Sequence, residues 1–161
     1  MTKAKILEGL QYRLGMTPAM MRIISASPAV LGGYQGFLAA LANGVLDPKF
    51  RERIALAVAR ANQAEVSIAL HSEIAKRIGM SEEEIQASLH CHSDDALEAV
   101  ALKFVGESAA WRGQFSPEGL NRMRRAGFSD AEIVEIAANA GVVTLANWFE
   151  CLAGNRAQEL R

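Results

Sequence analysis

The feature that most limits what this chain can become is its punctuation. Capping residues followed by proline recur ahead of apolar-periodic runs: Ser27-Pro28 opens AVLGGYQGFLAALANG, Asp47-Pro48 opens KFRERIALAVARA, and Ser116-Pro117 opens EGLNRMRRAG. A serine or aspartate oxygen accepts from a free backbone N–H at a helix start, and proline in the next position costs nothing because its missing donor would be unpaired there. Asn62 with Glu65, Ser81 with Glu84, Asp95 with Glu98 and Ser129 with Glu132 add capping-box spacing. Gly44, Gly79 and Gly127 suit the left-handed stop after a helix.

These signals predict helices over roughly 3–15, 18–25, 28–43, 48–61, 63–78, 82–89, 94–111, 117–125 and 130–153. No run reads as a strand. Val142, Val143 and Thr144 are β-branched but lie inside a helical period, with room for a kink at Gly141. The expected class is all-α. A chain of 161 residues, 50% of them apolar, can bury one core, so a single domain over 1–161 is expected. The stretches GMSEEEI and GFSDAEI echo each other: a glycine stop, an apolar contact residue and a capping box.

Acidic and basic residues are interspersed, with a net charge of −1, so no basic footprint marks a nucleic-acid or anionic-membrane partner. The N-terminus has no signal-peptide core and no uncharged apolar run approaches a membrane span, which points to the cytoplasm. Cys91 and Cys151 are far apart and read as small buried hydrophobes rather than a disulfide framework.

Chemistry is suggested within the stretch ANQAEVSIALHSEIAKRIGMS. At about 100° per residue, Ala64, Val66, Ser67, Ile68, Leu70, His71, Ile74, Ala75 and Ile78 form one continuous arc. Ser67 and His71 sit in its middle, one turn apart. A buried imidazole needs a polar partner, and burial favours its neutral, base-competent form. On the preceding helix Glu52 is followed at next-turn positions by Ala55, Leu56 and Ala59, whereas Arg53 looks toward the more charged side with Arg60. If the Glu52 strip packs on the Ser67/His71 face, a carboxylate, an imidazole and a hydroxyl meet in low dielectric. That set is suited to proton transfer. A lone histidine on an apolar face is, however, more often a satisfied core residue, and a glutamate between arginines is often a surface ion-pair partner.

At these residues the chain resembles the alkyl hydroperoxidase D-like and carboxymuconolactone decarboxylase superfamily. The likeness runs from SPAVLGGYQGFLAALANGVLDPKFRERIALAVARANQ through HSEIAKRIGMSEEEI and resumes in GFSDAEIVEIAANAGVVTLANWFECLAG. It implies an all-helical fold that assembles as a trimer or hexamer, acts on a small molecule, and is associated with peroxidase and antioxidant activity. The redox branch places a glutamate twelve residues before the first cysteine of a C-x-x-C, with a histidine four after the second. Here Glu52, Ala64, Ser67 and His71 fill those positions, so the glutamate and histidine are kept and both cysteines are gone. A serine hydroxyl cannot cycle through the sulfenic acid and disulfide that a dithiol peroxidase uses. The decarboxylase branch lacks the cysteine pair and works by acid–base chemistry, and a non-catalytic binding relative is the third option. Glu52, Ser67 and His71 are therefore the candidate catalytic residues, with Ala64 lining the site. Asn147, aligned with an asparagine near the end of the redox branch, is a candidate supporting residue. No cofactor is called for.

Other stretches carry less. HCHSDD offers His90, Cys91, His92, Asp94 and Asp95, but alternate residues of a helix junction point apart, so a solvated, capping loop is expected rather than a metal site. Arg122, Arg124 and Arg125 fit a helix C-terminus. Trp111, Trp148 and Phe149 are expected in the core or in subunit contacts.

Overall fold

The computed structural model describes residues 19–158, with side chains up to 154; the expected helix over 3–15 lies outside them. Among the described residues every regular element is an α-helix: α1 (Ala19–Ile24), α2 (Pro28–Ala42), α3 (Pro48–Ala61), α4 (Glu65–Arg77), α5 (Glu82–Leu89), α6 (Ala96–Ala110), α7 (Pro117–Ala126) and α8 (Asp130–Gln158). The expected all-α class is what the chain forms.

Most starts follow the caps. Asp47 Oδ1 accepts from Lys49 N at 2.8 Å, Ser116 Oγ from Gly119 N at 3.0 Å, and Asp95 Oδ1 from Leu97 and Glu98 N at 2.9 Å. Ser81 with Glu84 and Ser129 with Glu132 close as reciprocal capping boxes. The expected box at Asn62 does not form. α4 begins after Ala64, which offers no side-chain cap, and Asn62 instead ends α3 and donates to Thr144 Oγ1. The cause is a tight turn: Ala64 N returns to Ala59 O and Gln63 N to Arg60 O, with Gln63 left-handed at φ 54. Cys91 and Arg112 close α5 and α6 the same way, as Gly79 and Gly127 close α4 and α7. Gly44 is not a left-handed stop. A Cβ there would overlap the Glu135 carboxylate, which reaches over from α8 to accept from Val45 N at 2.8 Å.

The chain forms two compact units. The smaller comprises Met1–Ala40 and Leu145–Arg161; its described core is Met20, Met21, Ile24, Leu31 and Ala146, flanked by Tyr34 and Phe149 in an edge-to-face pair 6.2 Å apart. Burial, then the nearby Glu150 carboxylate, push the Tyr34 hydroxyl up to about 12, so it stays protonated. The larger unit, Leu41–Thr144, is organised around α3, which packs on α4, α5 and α6. Residues 53–59 are all buried, as a helix with neighbours on several sides requires. Leu56, Ala75, Met80 and Ile85 form one knot of this core, each large side chain contributing about 1.5–3 kcal/mol by leaving water.

Helix α8 runs unbroken through Gly141 and the β-branched triplet. Its segment Asp130–Gly154 is long and apolar enough to cross a membrane, which modifies the expectation that nothing approaches a span. Its Ile133, Ile136, Val142, Val143 and Ala146 are buried, while Val134, Trp148 and Leu152 are exposed. Trp111 and Trp148 are exposed rather than in the core, while Phe149 is half-buried in the smaller unit.

Candidate functional site

Helices α3 and α4 are joined by the short turn at Gln63 and pack side by side, which brings Glu52 to His71. His71 Nδ1 and Glu52 Oε2 are 2.8 Å apart, and the two side chains are only 18% and 17% exposed. A carboxylate at Nδ1 accepts that N–H and so fixes the tautomer that leaves the lone pair on Nε2. One turn earlier on the same inward stripe, Ser67 is 1% exposed, and one turn later comes the fully buried Ala75. Ala64 sits half-buried at the helix entrance. The buried arc is narrower than the periodicity implies: Ser67 and Ala75 are buried, Ala64, Ile68, Leu70, His71 and Ile74 are half-buried, and Val66 and Ile78 are exposed. Asn147 is buried and belongs to the smaller unit.

The neighbouring Arg53 is a feature the charge pattern hid. It is buried toward α5 and α6, with Nη2 donating to Glu84 Oε1 at 2.5 Å and Nη1 to Ser88 Oγ at 3.4 Å. Its Nε lies 2.9 Å from Glu98 Oε2 but off the N–H axis, so that contact is an ion pair without a well-directed hydrogen bond. Glu98 also accepts from Ser93 Oγ at 2.8 Å. The backbone N–H of Ser81, followed by Arg53, holds the Glu84 carboxyl below its ordinary 4.5. The signal was present: Arg53 is followed by Leu56 and Ala57, as apolar a next turn as the one that singled out Glu52. Arg51 is likewise committed, its Nη1 donating to Leu46 O at 2.7 Å.

The two cysteines lack C-x-x-C spacing. Both are free thiols; Cys151 is exposed in the smaller unit, and Cys91 is packed against Gly106 of α6, where burial pushes its thiol up. Cys91 lines an open groove that includes none of Glu52, Ser67 and His71. Among the described residues no three His, Cys, Asp or Glu side chains converge as metal ligands. In the HCHSDD stretch Ser93 and Asp95 bond the start of α6, and His92 approaches Asp94 only to 3.9 Å.

The model of the carboxymuconolactone decarboxylase family matches residues 28–105, a span that contains Glu52, Ala64, Ser67 and His71. That span is just under half of the chain, and over it the sequence is similar to the carboxymuconolactone decarboxylase family. Solved structures share the fold. A peroxidase-related protein from Silicibacter sp. TM1040 superposes with a TM-score of 0.81 at 20% identity, covering 94% of this chain and 82% of that one. The alkylhydroperoxidase core of a peroxidase-related protein from Ralstonia eutropha JMP134 gives 0.78 at 19% identity, over 90% and 79%. The debrominase Bmp8 gives 0.80 at 18% identity, over 94% and 83%. Among curated proteins none matches the sequence.

Proposed function

We propose that this protein is a sulfur-independent acid–base enzyme in which His71 moves a proton on a small substrate and Glu52 supports it. The observation that carries the reading is the 2.8 Å contact between His71 Nδ1 and Glu52 Oε2, beside positions where Ala64 and Ser67 stand in place of a dithiol. With Nδ1–H directed at Glu52, Nε2 accepts a proton from an acidic C–H or O–H of the substrate. The imidazolium so formed is stabilised by the adjacent carboxylate, and the same proton is returned to carbon when the enol-type intermediate collapses. Ser67, buried one turn away, is assigned a positioning role toward the His71 face of α4. Dithiol peroxide reduction, the activity associated with the redox branch, is not part of this proposal, because neither position can form a thiolate or a disulfide.

A small cyclic carboxylate is the substrate class we favour, on kinship with the decarboxylase family. A variant of the debrominase Bmp8 is known in complex with 2,3,4-tribromopyrrole, which supports room for a small ring in this fold. The protein is proposed to work in the cytoplasm as a homotrimer or homohexamer, a reading supported by the exposed Val66 and Ile78 on α4 beside the site.

The test is a screen of cyclic carboxylates with the intact protein. The expected result is turnover with a bell-shaped kcat/KM profile that His71→Gln abolishes while the helical fold is kept. Absence of turnover in both proteins, or steady-state peroxide reduction by a dithiol donor, overturns the proposal. Sedimentation analysis checks the assembly, and a monomer at micromolar concentration refutes it.

A further inference from the structure

The larger unit carries an open groove of about 600 Å³ between α3 and α6, closed at one end by the α5–α6 turn. Small residues keep it open: Ala57 and Ala61 on α3 face Ala99 and Gly106 on α6. Its end wall is set by backbone. Cys91 is left-handed at φ 56 and presses its sulfur where a Cβ on Gly106 would stand, 2.7 Å away. The volume falls in the range of small-molecule sites, roughly 300–1,000 Å³.

Its charge is one-sided. Arg60 and Lys103 line it from opposite helices, and neither has an ion-pair partner among the described residues. The acidic residue in the lining, Glu107, is bound to Arg122. Arg60, in the last turn of α3, also offsets the helix dipole. Lys103, in the middle of α6, has no such duty. An apolar floor between two uncommitted cations suits a ligand with a hydrocarbon body and one anionic head.

We propose that this groove is a second site, distinct from the Glu52–His71 pair and independent of its chemistry, which binds a small organic anion of medium-chain carboxylate type. The probe is octanoate, titrated into the full-length protein by calorimetry and by amide NMR, with 1-octanol as the neutral control. Octanoate is expected to move the amides of Ala57, Ala99 and Gly106 and to bind at least about tenfold tighter than octanol. The exposed double variant Arg60→Gln, Lys103→Gln should lose about tenfold or more in affinity with an unchanged melting temperature, and Arg60→Lys should retain most of it. Equal binding of octanol, an unaffected double variant, or shifts centred on His71 instead would each overturn the site. So would failure of octanoate to bind because a second copy of the chain covers the groove, seen as self-association that the double variant abolishes.

Discussion

Adjacent residues of one helix, Glu52 and Arg53, have been put to opposite uses. Arg53 is enclosed by two carboxylates and a serine contributed by α5 and α6, and two of these partners are themselves held, Glu84 by the N-cap of α5 and Glu98 by Ser93. Glu52, on the α4 side, makes a two-membered contact in which the second nitrogen of His71 stays available. A closed network of charges fixes the rotation of α3 and so fixes where Glu52 points. An open pair has a proton to give or take. The contrast teaches that burial of charge alone does not mark a site; the number of commitments each group has does.

The comparison breaks most sharply at the pair itself. Glu52→Gln or His71→Gln should lower kcat by about 10²–10⁴-fold, with a thermal unfolding midpoint close to wild type. If either variant unfolds the protein instead, the pair is structural and the two sides of α3 are alike. Arg53→Met should do the reverse, costing about 3 kcal/mol in denaturant unfolding because two carboxylates lose their cation, with Glu84→Gln and Glu98→Gln in the same chain recovering part of it. Full stability of Arg53→Met would show that the network is ornamental.

Acid sharpens the contrast further. Glu84 is held below 4.5 in the folded protein, so it contributes stability that is present above that value and is lost as pH falls through its lower folded value. Glu84→Gln should therefore flatten the acid limb of a stability-versus-pH curve below about pH 4.5, and a limb identical to wild type would remove Glu84 from the account. The smallest effect is expected at Gln63, whose left-handed backbone joins α3 to α4. Gln63→Gly should raise stability by up to about 1 kcal/mol, readable as a small shift in urea midpoint, without altering the Glu52–His71 contact.

What the sequence made legible was local. Helix starts at Ser81, Asp95, Ser116 and Ser129 are decided by atoms two or three residues away, and each occurs where its signal stands. The facing of Glu52 and His71 was readable for a similar reason: two neighbouring helices joined by a short turn pack apolar stripe on apolar stripe. Signals set by distant partners were not. Gly44 looks like a helix stop but serves Glu135, ninety-one residues on, and Arg53 looks solvated because the carboxylates that bury it come from two other helices. Three left-handed stops at Gln63, Cys91 and Arg112 carry no glycine to announce them.

The chain carries alanine and serine where its redox relatives carry sulfur. Oxidants that disable a dithiol enzyme by driving its cysteines to irreversible acids find nothing to consume at those two positions. Under the proposed acid–base chemistry, turnover at this site is uncoupled from the thiol reductants of its surroundings and calls for no recycling partner.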